Sequence, residues 1–249
     1  MSFAVDWHAR YSQQARWTAN VRKYLFDRAG MESSQRVLEV GCGTGALFTE
    51  FPPTTQVQLC GLDLNANNAH LARQNVPSAD ISCGDGHHLP YQDRIFDIAF
   101  CHFLLLWVHS PVEVLREMRR VVRKGGAVLA LAEPDYAGRI DYPPELEPLG
   151  RWQADSLKKQ GADPVAGRKL RSWFSSAGIK PIESGIIAGG WSGSPSPDER
   201  ALEWVVIKSD LEGQVPFQNI LKIKKLDDAA WDNGERVLFV PTFYAWGRT

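Results

Sequence analysis

An excess of either charge is missing from this chain. Its 28 lysines and arginines stand against 29 aspartates and glutamates over 249 residues, a formal net charge of -1. That balance offers no basic face to phosphate backbones or anionic membranes, so a nucleic-acid substrate is not expected. Long apolar runs are missing as well. The longest, Phe103 to Val108, falls far short of the roughly 20 residues that span a bilayer. No charged-then-apolar leader opens the sequence, and the expectation is a cytoplasmic protein without membrane insertion. Cysteine is scarce. Cys42, Cys60, Cys83 and Cys101 match no zinc spacing and fall at or near predicted strand ends, so they are expected to be small buried hydrophobes, with no metal and no disulfide. Internal repeats are absent. What is left is an ordinary globular composition, 44% hydrophobic, in a chain long enough to bury a sizeable core.

The informative stretch is Val37 to Gly45. Val37-Leu38-Glu39-Val40 reads as a buried strand, and it breaks into Gly41-Cys42-Gly43-Thr44-Gly45, with glycine at every second position. Ala46 to Phe51 is helix-compatible. Strand, glycine loop and helix make the first unit of a doubly wound α/β domain, whose ligands bind at the C-terminal strand ends. Two chemistries fit the loop. Gly41, Gly43 and Ala46 satisfy the dinucleotide fingerprint, which would make the chain an NAD-dependent oxidoreductase. Glu39-x-Gly41-x-Gly43-x-Gly45 resembles instead motif I of the class I S-adenosylmethionine (SAM) dependent methyltransferases, where the loop wraps the aminoacyl part of the cofactor. Glu39 and the additional Gly45 favour the second.

Along the chain, Trp17, Val21, Tyr24, Leu25 and Arg28 recur at helical spacing before Gly30, predicting a helix with Trp7, His8 and Tyr11 clustered at its start. Pro52-Pro53 marks a turn, and Val57 to Asp63 reads as the second strand. It ends in an acid about twenty residues beyond the glycine loop, the spacing of a carboxylate that accepts ribose hydroxyls. The alternative is that Asp63 caps the helix predicted from Asn65 to Gln74. Ala79 to Asp85, Phe96 to Cys101 and Ala127 to Ala132 read as further strands, and His87 and His88 as surface loop residues.

Leu89-Pro90, then Phe96-Asp97-Ile98-Ala99-Phe100-Cys101-His102-Phe103 and Trp107-Val108, resemble motif II and its sequel in small-molecule methyltransferases of the quinone-biosynthesis type, the type 11 branch. Val112 to Lys124 reads as an amphipathic helix with basic last turns, stopped by Gly125-Gly126, and its Leu115-x-Glu117-x-x-Arg120-Val121 resembles that branch's passage into the fifth strand. The resemblance covers residues 35 to 135. It implies a Rossmann-like, seven-stranded, mostly parallel sheet flanked by helices, with an N-terminal helical lid. It also implies SAM as cofactor and S-adenosylhomocysteine (SAH) as product. Contacts to the cofactor would come from Tyr11, Trp17, Glu39, Gly41, Cys42, Gly43, Gly45, Asp63, Leu64, Gly84, Asp85, Gly86, Cys101, His102 and Trp107, with Asp85 meeting the adenine amino group. The sequence departs from the branch at Leu106, where a polar residue is frequent, so the methionine-side pocket is expected to be more apolar.

Beyond Tyr136 come a proline-rich loop, helices from Leu149 to Gln160 and Gly167 to Ala177, a strand from Lys180 to Ile187, and a break at Gly189 to Pro197. Helices follow from Asp198 to Leu211 and near Asp227 to Asn233, then a last strand from Arg236 to Trp246. One domain over 1–249 is expected: a lid at 1–30, a core at 31–188, a helical insertion at 189–235 and the last strand at 236–249. Methyl transfer needs a held nucleophile and only sometimes a base. His8, Tyr11, His102 and Asp135 are the candidate catalytic groups, with His109 and Tyr136 near them. Nine tryptophans, mostly outside the strands, suggest a lining for a small apolar or aromatic acceptor. The expected activity is methyl transfer to such an acceptor, and the rival is a SAM-binding protein that has lost catalysis. The oligomeric state stays open.

Overall fold

The computed structural model describes residues 5–51, 56–187 and 195–249. The turn expected at Pro52-Pro53 and the break containing Trp191 lie outside the described residues. In chain order the elements are α1 (Trp7–Ala29), β1 (Arg36–Val40), β2 (Gln58–Asp63), α2 (Ala66–Asn75), β3 (Asp80–Cys83), β4 (Phe96–Cys101), α3 (Pro111–Val121) and β5 (Val122–Pro134). They continue with β6 (Ile140–Tyr142), α4 (Glu147–Lys159), α5 (Ala166–Ser176), β7 (Lys180–Ile187), α6 (Pro197–Leu211), α7 (Phe217–Asp232), β8 (Val237–Phe239) and β9 (Thr242–Arg248).

Seven strands form one sheet in the order β3-β2-β1-β4-β5-β9-β7. The strands β1 to β5 pair in parallel, and β9 runs antiparallel between β5 and β7. This is the Rossmann-like arrangement expected from the sequence. The two-residue period of each strand divides the core between its faces. Leu38, Val40, Ala99, Cys101, Val128 and Ala130 pack on α3 and α5. Val37, Ile98, Phe100, Ala127, Leu129 and Leu131 pack on α1 and α2. Glu39 follows the phase of Val37 and so emerges on the α1 side. A separate apolar cluster joins Leu149 of α4, Trp204 and Ile207 of α6, and Ile220 and Ile223 of α7.

Four local expectations change. Ala46 to Phe51 makes a single 3-10 turn at Phe48–Glu50, because Phe51 precedes a proline and turns extended, with ψ 133°. Helix α3 stops at Val121 rather than running on toward Gly125: Val122 pairs with Phe96, and its β-branched side chain suits the strand better than another helical turn. The last strand divides at Pro241, which has no N–H to give a ladder, and its first part pairs as β8 with β6. Cys83 is exposed, whereas Cys42, Cys60 and Cys101 are buried, and all four are free.

Candidate active site

Geometry at the end of β1 explains the alternating glycines. Gly41, Gly43 and Gly45 have φ of 76°, 53° and 79°, in the left-handed region that side chains disfavour. The backbone N–H groups of Gly41 and Cys42 donate to the Leu62 carbonyl, at 2.7 and 3.0 Å, tying the loop to β2. A Cβ on Gly41 would stand 2.7 Å from Leu104, and one on Gly43 3.0 Å from the Tyr11 ring. Tyr11, on α1, is therefore laid directly over the loop. Burial raises its phenol pKa, and the Asp63 charge adds to the shift.

Asp63 ends β2 beside this loop. Its Oδ2 accepts from Gly43 N at 2.8 Å and its Oδ1 from Asn65 N at 2.9 Å. It does not cap α2; the Asn65 side chain does that, accepting from Asn67 N and Asn68 N. The carboxylate is thus held by two backbone donors with acceptor capacity left over. Glu39 is buried on the α1 side, and its Oε2 has no hydrogen-bond partner among the described residues. Burial pushes its pKa up to about 8 against the opposing pull of Arg22, itself buried and paired with Glu50.

These groups line a cavity of about 310 Å³. Its floor is Glu39, Gly41, Cys42, Gly43 and Asp63, its lid Trp7 and Tyr11 of α1, and its side wall His102, Leu106 and Trp107. Its far wall comes from α4 and α6, through Gln153, Leu157, Gln160, Val206 and Asp210. A second cavity of about 690 Å³ adjoins it. The two share Arg10, Gln14, Phe103, Tyr136 and Gln153, and the second is walled by Trp17, Leu149, Trp204, Ile207 and Leu238. The lid is tied across both by Arg10, paired with Glu203 of α6, and by Gln13, which donates to the Glu199 carbonyl at 3.3 Å. A wider groove of about 1310 Å³ between α6 and α7 contains none of the candidate site residues.

Several expected residues stand elsewhere. His8 does not line the cavity. It bonds Thr44 Oγ1 at 2.8 Å and lies 3.2 Å from Asn75 Nδ2, bracing the loop from outside. Asp135 is buried and held by the Arg168 guanidinium, and it also accepts from Gly138 N at 3.2 Å. The Cys101 side chain is wholly inside the core. Trp17 lines the second cavity, under the Arg10 guanidinium, instead of the first. His102 does face the first cavity, but burial and the nearby Arg22 charge depress its pKa to about 3, so it is neutral and only weakly basic at pH 7. Leu64, Gly84, Asp85 and Gly86 stand outside the enclosed volume at the adjoining strand ends, with Leu64 exposed. His87 is buried, contrary to expectation, while His109 is exposed.

Other residues escaped the sequence reading. Glu133, fully buried at the end of β5, accepts from the backbone N–H groups of Leu104, Leu105 and Leu106 at 2.9, 2.8 and 3.1 Å. It thereby shapes the segment that forms the side wall. Asp210 accepts from Gln153 Nε2 at 2.9 Å, and burial raises its pKa. Neither belongs to a motif. Only the strand-end position of Glu133 offered a signal.

A mostly parallel sheet with β9 reversed, a triple-glycine loop and an acid at the end of β2 make up the Rossmann-like arrangement of methyltransferase folds. Residues 38–130 match the methyltransferase domain family. An uncharacterized methyltransferase of Schizosaccharomyces pombe is 27% identical over 188 residues, 70% of this chain and 66% of that protein. A demethylmenaquinone methyltransferase of Oceanobacillus iheyensis is 29% identical over 68% of this chain and 79% of its own length. Four further curated relatives are matched over 53%, 44%, 47% and 45% of their length, so the chain spans about half of these proteins. Among solved structures, a methyltransferase from Bacillus halodurans superposes with a TM-score of 0.61 at 16% identity, over 92% of this chain and 98% of that one. A geranyl diphosphate C-methyltransferase of Streptomyces coelicolor, in complex with SAH, gives 0.58 at 12% identity, over 92% and 76%. The family match favours the methyltransferase reading of the glycine loop over the dinucleotide one.

Among the described residues no helix is long and apolar enough to cross a membrane, and no cluster of side chains could hold a metal ion.

Proposed function

We propose that this chain binds SAM with its aminoacyl and ribose parts in the 310 Å³ cavity and its base at the adjoining strand ends, and transfers its methyl group to a small, largely apolar or aromatic acceptor held in the adjoining 690 Å³ chamber. The observation that carries the cofactor half is the buried, unpartnered Glu39 Oε2 beside the glycine loop and Asp63. An orphaned acceptor in a buried position costs free energy unless a ligand supplies the donor. An amino acid ammonium supplies one, and the ribose hydroxyls meet Asp63. Glycine at 41 and 43 lets the aminoacyl part approach where a Cβ would collide. The residues present therefore fit the cofactor.

When bound, SAM supplies an electrophilic methyl on a sulfonium, with a neutral thioether as leaving group. The chain's own part is to orient and to exclude water. Tyr11 and Trp7 cover the loop, and Leu106 and Trp107 close the side. The shared collar of Gln14, Phe103, Tyr136 and Gln153 leads from one cavity to the other. No catalytic base is assigned to His8 or Asp135, whose partners hold them away from the cavity. The acceptor reading rests on the aromatic and aliphatic wall of Trp17, Trp204, Leu149, Ile207 and Leu238. Free cysteines and a net charge near zero fit a cytoplasmic small-molecule enzyme. Calorimetry with SAM, SAH and NAD tests the cofactor; binding of NAD alone would overturn it. Turnover of labelled SAM with a panel of aromatic and prenyl acceptors tests the rest, and a chain that binds SAM yet methylates none is the non-catalytic rival.

Two further outcomes are expected. Gly41→Ala strains φ and pushes against Leu104, so SAH affinity falls ~10-fold, as expected for roughly 1–3 kcal/mol of backbone strain. An unchanged Kd would mean that the loop does not cradle the ligand. Glu39, with its pKa near 8 in the empty protein, ionises on meeting a cationic ligand. SAM binding therefore releases a proton, and affinity rises from pH 6 to pH 7.5. Calorimetry in buffers of different ionisation enthalpy detects the release, and Glu39→Gln should remove both effects. In the empty protein the sign is opposite. A carboxyl whose pKa is raised on folding favours the folded state most below its unfolded value, and that contribution is lost as pH climbs toward 8.

A further inference from the structure

We infer that His87 is a positioning residue that aims Asp85 at the 6-amino group of a purine nucleoside. The inference rests on the cofactor reading above and extends it to a residue outside its motifs. Asp85 stands two positions beyond β3, beside Asp63: Cys83 pairs with Asp63 in the sheet, and Gly84 N donates to the Asp63 carbonyl at 3.0 Å. One carboxylate oxygen of Asp85 is fully engaged. Its Oδ1 accepts from His87 N at 2.9 Å and from His87 Nδ1 at 2.6 Å. Its Oδ2 takes no hydrogen bond among the described residues, and the side chain is 44% exposed at the strand ends.

The imidazole that does this is itself held from three directions. Its Nε2 accepts from Ser110 N at 3.4 Å, at the start of α3, which places the ring proton on Nδ1, facing Asp85. Its face stacks on His109, with centroids 3.9 Å apart and planes 24° from parallel. The ring is buried, with 8% exposure. A buried ring with both nitrogens directed and one face covered has little freedom to turn, and it transmits that rigidity to Asp85. The free Oδ2 is an acceptor with no hydrogen to offer. It pairs with an exocyclic amine and opposes the oxygen of a 6-oxopurine, so the arrangement selects adenosyl over inosyl ligands.

Calorimetry on the full chain with SAH and with its 6-oxo analogue, S-inosylhomocysteine, tests this. Wild type should prefer SAH by ~100-fold, the scale set by one carboxylate hydrogen bond replaced by repulsion. His87→Phe keeps the ring and its stack on His109 but lacks the donor, and the preference should fall to ~10-fold or less. His87→Asn carries an amide nitrogen where Nδ1 was and should restore most of it. Should the phenylalanine variant not fold, His87→Ala decides by the same ratio. Variants that weaken both ligands equally and keep the wild-type ratio would show a merely structural His87 and overturn the inference alone. A wild-type chain that binds SAH and its analogue alike would also overturn it alone. One that binds neither overturns the cofactor reading and the inference together.

Discussion

Asp63→Ala should weaken SAH binding by more than ~100-fold, the largest single effect expected on ligand affinity. The carboxylate holds Gly43 N and Asn65 N and, in the proposed complex, the ribose hydroxyls as well. Hydrogen bonds to a charged group contribute about 1.5–3 kcal/mol each, so losing two is worth at least two powers of ten. The variant also frees the middle glycine of the loop, which adds an ordering cost to binding. Asp63→Asn should fall between, since its amide can accept from one backbone N–H but presents a donor to the other. Calorimetry measures the Kd, and thermal unfolding of the ligand-free proteins serves as the control. A Kd within threefold of wild type would remove Asp63 from the site.

The largest stability effect is expected far from the glycine loop. Arg236 has no exposed side-chain surface, and its Nε and Nη2 donate to Asp227 and Asp141, each at 2.6 Å. Asp141 also pairs with Arg139 at 2.7 Å, and Asp227 accepts from Trp204 Nε1 at 2.7 Å. Arg236→Met leaves Asp227 buried with one neutral donor and Asp141 with one cation. Removing one partner of a buried pair costs about 3–5 kcal/mol, because the remaining charge stays desolvated. Urea unfolding should register that loss. The double variant Arg236→Met with Asp227→Asn should recover part of it, since it withdraws the stranded charge. The damage should reach the site. Arg139 donates to Gln153 at 2.5 Å and Gln153 to Asp210 at 2.9 Å, and both acceptors line the cofactor cavity. An Arg236→Met protein as stable as wild type would show that the network is dispensable.

Much of the sheet was legible from residue pattern alone. Runs such as Val37 to Val40 and Phe96 to Cys101 are buried on both faces, so apolar content marks them as strands without help from the rest of the chain. Positions needing left-handed backbone announce themselves as glycine, which is why the loop, its strand and Asp63 could be read together. Where local preference competes with pairing, the reading failed. Val122 could extend a helix or a strand, and only Phe96 opposite it decides. Arg236 to Trp246 reads as one strand until β6, invisible in a proline-rich stretch, claims its first part.

The glycine loop and the two strand-end acids were determined by sequence, because each is a backbone or spacing requirement met within a few residues. The far wall of the cavity was decided by tertiary structure alone. Gln153, Gln160 and Asp210 sit on helices 100 or more residues from the loop and belong to no motif; what brings them to the site is the burial of their own apolar cluster and its ion network. The same holds for which acids and histidines are free to act. Glu39, His102 and His87 differ by what packs against them, and burial and partnership are properties of the folded chain that no short stretch of residues contains.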